Sequence, residues 1–267
     1  MSMIYGTAWK KEQTDTLVSL AIENGFRAID TACQPKHYNE KLVGDGIKNA
    51  LEKNNLKRED LFIQTKFTPI DGQDINNIPY NPNDSLEDQI NTSISVSLEN
   101  LQTTHIDSLL LHSPLFPFSE LSKAWSVFEE FYNQGIIKQI GISNCYNLAV
   151  FKKLYDDATI KPKVLQNRFY AQSGHDKELR KFCIEHDVSY QSFWSLTANP
   201  EILNSQLLYE LSLKYQKTQI QIFYRYLTQI NITPLNGTTS SEHMQEDLSI
   251  FDFELDIVDI DSINSLL

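Results

Sequence analysis

Three side chains that exchange protons stand at the ends of short apolar runs in this chain. Asp30, Lys66 and His112 each lie at or next to the last residue of such a run. Any one of them alone is more often structural than catalytic. An aspartate, a lysine and a histidine at the same end of three neighbouring strands are instead typical of an active site. A carboxylate, an ammonium and an imidazole placed together indicate acid–base chemistry.

The elements that must position these groups alternate between short β-branched runs and segments with helical spacing, and the alternation occurs eight times. Strands are predicted at 4–6, 26–32, 61–67, 106–112, 137–143, 164–169, 188–194 and 231–235. Helices are predicted between them, including 14–25 and a long, uninterrupted one over 205–229. With no break in composition, this pattern predicts one α/β domain over 1–267, a (β/α)8 TIM barrel. The irregular segment 68–84 then lies at the C-terminal rim, where loops build sites.

Composition narrows the classes of partner and location. The chain has 267 residues and a formal net charge of −12, which argues against nucleic acid as a partner. Neither a signal peptide nor an apolar run of membrane-spanning length is visible, so we expect no membrane association and a cytoplasmic location. The three cysteines are scattered and show no metal-ligand spacing, so we expect neither a disulfide framework nor a metal site.

Several longer motifs resemble one family. The segment GFRAIDTACQPKHYNEKLVGDGI, together with TKF, LLLHSP, GISN and FDFEL, is similar to the aldo-keto reductases over most of the chain. This resemblance implies a (β/α)8 barrel that binds a nicotinamide cofactor without a G-x-G-x-x-G motif. It also implies an enzyme that reduces aldehydes and ketones to alcohols, with a small carbonyl compound as substrate.

The resemblance assigns roles to the residues at the strand ends. Hydride transfer to a carbonyl carbon leaves an alkoxide, which needs a proton donor. Tyr38 is the expected donor, with Lys66 lowering its pKa, Asp30 holding Lys66 in place and His112 orienting the carbonyl. The spacing departs from the family pattern, because Pro35 stands where the tyrosine is usual and a count back from Asn39 points to His37. We favour Tyr38, since the Lys66 ammonium would oppose a charged imidazole.

The positions expected to bind the cofactor resemble those of the family less closely towards the C-terminal end of the chain. Ser143, Asn144 and Gln166 resemble the positions that bind the nicotinamide carboxamide, and Trp194 falls near the aromatic on which the ring stacks. At the adenosine end, Asn236, Gly237 and Thr238 open a hydroxyl-rich turn that suits phosphate. The lysine and arginine that hold the 2′-phosphate of NADPH in the family fall on Gly237 and His243. NADPH and NADH therefore both remain candidate cofactors.

On the substrate side, Trp9 and Phe116 are expected to line an aromatic mouth. The printed sequence ends at Leu267, soon after FDFEL, so we expect an open pocket and loose selectivity. We expect a monomer or a weak homo-oligomer. Two alternatives stay open: a nucleotide-binding barrel that acts as a regulatory subunit, and another barrel enzyme such as an isomerase. The second lacks support, because no glycine-rich phosphate loop follows the seventh strand.

Overall fold

The computed structural model describes residues 3–267, in which eight parallel strands close into one barrel in chain order. The strands are β1 (Ile4–Gly6), β2 (Ala28–Asp30), β3 (Phe62–Phe67), β4 (Ser108–Leu111), β5 (Ile140–Ser143), β6 (Val164–Arg168), β7 (Ser189–Phe193) and β8 (Ile232–Asn236). Each predicted strand is confirmed, with ends that differ by a few residues. The expected (β/α)8 fold is therefore confirmed.

Helices surround the barrel and bury their apolar faces against it. They are α1 (Thr14–Glu23), α2 (Glu40–Asn54), α3 (Leu86–Asn100), α4 (Phe118–Asn133), α5 (Leu148–Asp157), α6 (Lys177–Glu185), α7 (Pro200–Leu203), α8 (Gln206–Tyr215), α9 (Gln219–Gln229), α10 (Ser241–Leu248) and α11 (Ile257–Asn264). No helix within 3–267 is both long and apolar enough to cross a bilayer.

The prediction of one helix over 205–229 is wrong. The chain leaves helical geometry at Gln216, whose φ is 55°, and a new helix begins at Gln219, after the N-cap residue Thr218. The Thr218 side chain accepts a hydrogen bond from the Gln221 backbone N–H, and the Gln221 side chain accepts one from the Thr218 N–H. This capping box satisfies the free donors of a new helix start. The pattern T-x-x-Q was visible in the sequence, but the absence of proline concealed the break.

The segment that carries Tyr38 is anchored by the start of α2. Asn39 caps the helix by accepting from the Leu42 N–H, and the next residue, Glu40, is buried. The Glu40 carboxylate accepts hydrogen bonds from Thr65 of β3 at 2.5 Å and Ser97 of α3 at 3.0 Å. A buried carboxylate is tolerated only with such partners. Glu40 thus ties the segment after β2 to the strand that carries Lys66.

A glycine in β5 allows two neighbouring strands of the barrel to pack closely. Gly141 in β5 lies in register with Val164 of β6, and a Cβ on Gly141 would meet the Val164 carbonyl oxygen at 2.5 Å. We expect Gly141→Ala to lower the free energy of unfolding by about 2 kcal/mol or more, because the neighbouring strand must shift. Gly6→Ala is the matched control, since its Cβ meets nothing closer than 3.5 Å. Urea unfolding of both variants measures the difference, and equal losses would contradict the packing described.

Candidate active site

A cavity of about 870 Å³ opens at the C-terminal ends of the strands. Parallel strands in a barrel place these ends on one side, so residues distant in sequence meet there. Of the residues predicted for the site, the following line the cavity: Trp9, Asp30, Tyr38, His112, Ser143, Asn144, Gln166, Trp194, Asn236, Gly237, Thr238 and His243. Phe116 does not line it.

Beneath this cavity, Lys66 and Asp30 form a buried ion pair. The Lys66 ammonium lies 2.6 Å from Asp30 Oδ2 and donates a second hydrogen bond to the Thr31 carbonyl at 2.8 Å. The side chains of Lys66 and Asp30 are 1% and 3% exposed. Burial lowers the pKa of Lys66, while the Asp30 charge opposes that effect. Two charges this deep are compatible with folding only because each is the other's partner.

Two glutamines donate hydrogen bonds to Asp30, and a third glutamine links them. Gln64 and Gln166 each donate to Asp30 Oδ1, at 2.8 and 3.0 Å. Both also donate to Gln191 Oε1, at 2.7 and 3.0 Å. These hydrogen bonds join Gln64, Gln166 and Gln191 into one set, the glutamine layer, which holds Asp30 Oδ1 while Oδ2 pairs with Lys66.

Tyr38 lies above Lys66, with the ammonium 5.5 Å from the centre of its ring. Burial raises the pKa of Tyr38 above its ordinary value, and the Asp30 charge raises it further. This direction is opposite to the lowering expected from Lys66, because desolvation of the phenol and Asp30 outweigh the ammonium. The hydroxyl therefore stays protonated at neutral pH, the state that a proton donor needs.

His112 packs edge-on against Tyr38, with ring centres 6.1 Å apart. Burial, with the charges of Lys66 and His37, lowers the pKa of His112 to about 3, so the imidazole is neutral at physiological pH. Thr68 Oγ1 lies 2.6 Å from His112 Nδ1. We assign the hydroxyl as the donor, because within residues 3–267 it has no other acceptor in reach. That leaves the imidazole proton on Nε2.

His37, the alternative to Tyr38, is held by other contacts. Its ring stacks on Trp9 with centres 4.0 Å apart, and its Nδ1 lies 3.0 Å from Gln34 Oε1. Burial and the charge of Lys36 lower the pKa of His37. No contact joins His37 to the Lys66–Asp30 pair among the hydrogen bonds and ring contacts of the described chain, whereas Tyr38 lies directly over Lys66.

Ser143, Asn144 and Gln166 lie together at the ends of β5 and β6. The Ser143 hydroxyl donates to the Gln166 carbonyl at 2.8 Å. Asn144 takes a left-handed conformation, with φ of 54°, and donates its side-chain amide to the His112 carbonyl at 2.9 Å. This arrangement exposes amide and hydroxyl groups to the cavity, which suits a carboxamide.

Two aromatic rings at the end of β7, Phe193 and Trp194, line the cavity. Side chains alternate along a strand, and Gln191 of β7 points into the barrel, so Phe193 faces the same way. Trp194 lies beyond the strand with φ of 57° and is 49% exposed. Its ring stacks on the Arg168 guanidinium, 4.2 Å away. Both rings line the cavity, so the role expected of Trp194 stays a prediction and Phe193 is a second candidate for it.

The residues expected to contact the adenosine lie between β8 and α10. Asn236 is buried, accepts from the Thr238 N–H and donates to the Asp247 carboxylate. Burial raises the pKa of Asp247 to about 7. Lys10 donates to the Gly237 carbonyl, which returns a cation to the position where the family's lysine is absent. His243 is exposed on the first turn of α10.

Of the two predicted substrate contacts, only Trp9 reaches the cavity. Phe116 is 69% exposed and its side chain lies outside the lining. Phe116 lies two residues before the start of α4 at Phe118, and its expected contact with the substrate stays a prediction.

Comparison with known proteins decides the family. The model described as the Aldo/keto reductase family matches residues 2–267. The chain belongs to the aldo/keto reductase family. Glyoxal reductase of Bacillus subtilis is 31% identical over 249 residues, which cover 93% of this chain and 82% of that protein. Methylglyoxal reductase DkgA of Escherichia coli is 28% identical, over 92% of this chain and 81% of its own.

Solved structures agree with this membership. An aldo-keto reductase from a deep-sea metagenome library of the Medee basin superposes with a TM-score of 0.84 at 27% identity, covering 100% of this chain and 91% of that one. A silkworm aldo-keto reductase complexed with NADPH gives 0.81 at 25%, covering 99% and 83%. This aldo/keto reductase is an NAD(P)H-dependent carbonyl reductase, and the regulatory alternative is not favoured.

The cavity of this aldo/keto reductase fits a nicotinamide dinucleotide. It offers a hydroxyl group at Ser143, amide groups at Asn144 and Gln166, aromatic rings at Phe193 and Trp194, and two cations, Lys10 and Arg168. Five further lining residues were not predicted from the sequence: Phe193, Lys10, Arg168, Thr68 and Asp247. Alternation along β7 could have located Phe193, whereas the others depend on contacts between loops.

The tautomer of His112 yields a prediction. We expect Thr68→Val to remove the hydrogen bond to His112 Nδ1 and to shift the imidazole proton towards that nitrogen. The loss of about 1–1.5 kcal/mol corresponds to a roughly tenfold lower kcat. Nitrogen NMR of the two ring nitrogens measures the tautomer, and Thr68→Ser should retain both properties. An unchanged tautomer in the valine variant would contradict the assignment.

The raised pKa of Asp247 yields a second prediction. Its folded-state pKa of about 7 exceeds the ordinary 3.8, so the folded protein binds the proton more tightly than the unfolded chain. Stability should therefore fall as the pH rises from about 4 to 7. We expect Asp247→Asn to remove this loss and to be more stable than the parent by about 2–4 kcal/mol at pH 8, with little difference near pH 4.

Denaturant unfolding at several pH values measures the Asp247 effect. Asp252→Asn is the control, because Asp252 is exposed in the segment after α10. A pH dependence that is equal in the two variants would contradict the assignment to Asp247.

Proposed function

We propose that Tyr38 donates the proton in carbonyl reduction, with Lys66, Asp30 and His112 as its supporting groups. The observation that carries this proposal is the buried Lys66–Asp30 pair directly beneath the Tyr38 ring, with the neutral His112 beside it. The reaction creates negative charge on one oxygen, and these groups surround one point of the cavity.

The bound nicotinamide supplies the hydride that adds to the carbonyl carbon. His112 Nε2–H donates a hydrogen bond to the carbonyl oxygen and so orients it before the charge develops. Tyr38 then gives its proton to the alkoxide, whose basicity far exceeds that of a phenolate. The Lys66 ammonium stabilises the phenolate that remains, and Asp30 keeps Lys66 charged and in place.

For the cofactor, we propose that Ser143, Asn144 and Gln166 bind the carboxamide and that Phe193 carries the ring. Asn236, Gly237, Thr238 and His243 then border the adenosine end. We propose that NADH is accepted as well as NADPH, since Gly237 and His243 replace the two cations and Asp247 lies beside them. Once the pH rises above about 7 and the Asp247 carboxyl ionises, its negative charge would repel a 2′-phosphate.

For the substrate, we propose small aldehydes and dicarbonyls of the glyoxal class. The support is the similarity to the glyoxal and methylglyoxal reductases, together with Trp9 as an exposed ring at the cavity mouth. A flat exposed ring provides contact area without a closed pocket, which suits loose selectivity.

We further propose that residues 1–267 act as one domain, as a monomer or weak homo-oligomer in the cytoplasm, without a nucleic-acid partner. The three cysteines are free and buried, which suits a reducing compartment. The net charge of −12 opposes binding to phosphate backbones.

A pair of variants tests the proton donor. We expect Tyr38→Phe to lower kcat for methylglyoxal by about 10² to 10⁴, because the general acid is lost, while the dissociation constant for NADH or NADPH changes little. His37→Gln should keep most of the activity. Steady-state kinetics and calorimetric titration with each cofactor measure the two quantities.

The same measurements discriminate the alternatives. Loss of turnover in His37→Gln with retention in Tyr38→Phe would assign the proton donor to His37 instead. Binding of cofactor without turnover by the parent protein would contradict the reductase.

A further inference from the structure

Arg168 differs from the other four arginines of the chain. Arg27, Arg58, Arg180 and Arg225 each donate at least one side-chain hydrogen bond to a protein oxygen. Within residues 3–267 the Arg168 guanidinium donates none and has no carboxylate within 4.0 Å. Its Nε is shielded from solvent and lacks a partner. A buried donor left unpaired costs free energy, so such groups commonly serve a ligand.

Aromatic rings hold this unpaired guanidinium in place. Trp194 lies 4.2 Å from its central carbon, and Tyr170 lies 5.4 Å away. The Tyr146 hydroxyl oxygen accepts a hydrogen bond from the Arg168 backbone N–H at 3.0 Å, which holds the backbone of Arg168 in place. Stacking fixes the plane of a guanidinium but leaves its N–H groups free to bind in that plane.

The strand order places Arg168 between the two ends of the proposed cofactor site. Arg168 is in register with Phe193, and it lies two residues after Gln166, so it faces the cavity. The proposed carboxamide contacts lie on β5 and β6, and the proposed adenosine contacts follow β8. The group that joins the two halves of a nicotinamide dinucleotide is a diphosphate, which must therefore cross the rim near β7.

We propose that Arg168 binds the diphosphate of the nicotinamide cofactor, an inference that rests on the proposed function. Phosphate oxygens match the planar N–H pairs of a guanidinium in a bidentate arrangement. Lys10, which lies at the β8 side against the Gly237 carbonyl, supplies the second cation of this site. The aromatic contacts order the Arg168 side chain before a ligand binds. Less conformational entropy is therefore lost when the side chain forms hydrogen bonds to the ligand.

Equilibrium binding tests the role of Arg168. Titration calorimetry with NADH should give a dissociation constant roughly 10 to 100 times larger for Arg168→Gln than for the parent, as expected for hydrogen bonds to a charged group. Arg168→Lys should recover part of the loss, because it keeps the charge without the planar fork. Arg225→Gln, which removes the contact with Glu254, is the matched control and should bind as the parent does. Circular dichroism verifies that each variant folds.

A second readout separates a phosphate contact from a general disturbance. NADH affinity of the parent should weaken with added salt, and Arg168→Gln should weaken less steeply. Binding of reduced nicotinamide riboside, which has no phosphate, should change less than twofold in Arg168→Gln. Equal losses for NADH and the riboside would overturn the proposal, as would an unchanged NADH affinity.

The remaining outcomes distinguish this inference from the proposed function. If Arg168→Gln raises KM only for glyoxylate, relative to uncharged methylglyoxal, the guanidinium serves a substrate carboxylate and the diphosphate assignment is wrong. If the parent protein binds neither NADH nor NADPH, the proposed function fails together with this inference. Normal cofactor binding by the parent with no effect of Arg168→Gln leaves the proposed function intact and overturns the inference alone.

Discussion

The site is organised around the burial of one positive charge. Lys66 is almost inaccessible to water, and its ammonium has only Asp30 Oδ2 and the Thr31 carbonyl as hydrogen-bond partners among the described residues. Breaking such a pair costs about 3–5 kcal/mol, because the remaining charge is stranded. The inner face of the barrel is therefore polar at this level, and the glutamine layer fills space that an ordinary barrel core gives to apolar side chains. In this chain, part of the core packing is also the electrostatic support of the site.

The same burial sets the protonation states around the pair. Desolvation favours neutral forms, so it keeps the Tyr38 phenol protonated and the His112 imidazole uncharged. A proton donor and a neutral hydrogen-bond donor are the two groups that reduction of a carbonyl requires. A protonated His112 would be repelled by the Lys66 ammonium nearby. The buried charge of Lys66 therefore favours the neutral form of His112.

The parts of the structure that follow local rules could be predicted from the sequence. Alternation of apolar runs and helical spacing located all eight strands, and the strand-end rule placed Asp30, Lys66 and His112 together. Sequence reasoning did not reach features that depend on contacts between distant segments. The contact of Trp194 with Arg168 joins residues from two different strand ends. The position of Phe116 outside the cavity lining likewise had no signal in the sequence. Thr68 carried no signal, because its role depends on His112, 44 residues later.

The charge distribution links the chemistry of the cavity to the whole molecule. A protein with a net charge of −12 repels an anionic dinucleotide at long range, so binding requires local positive charge. Lys10 and Arg168 supply this positive charge in the cavity, on either side of β7 and β8. The charge of Lys66 is neutralised by Asp30. Lys10 and Arg168 are half-buried, which reduces screening of their charges by water and salt, so they can outweigh a distant negative surface. The unpaired state of Arg168 then follows from function, since an internal carboxylate partner would cancel the charge that the ligand needs.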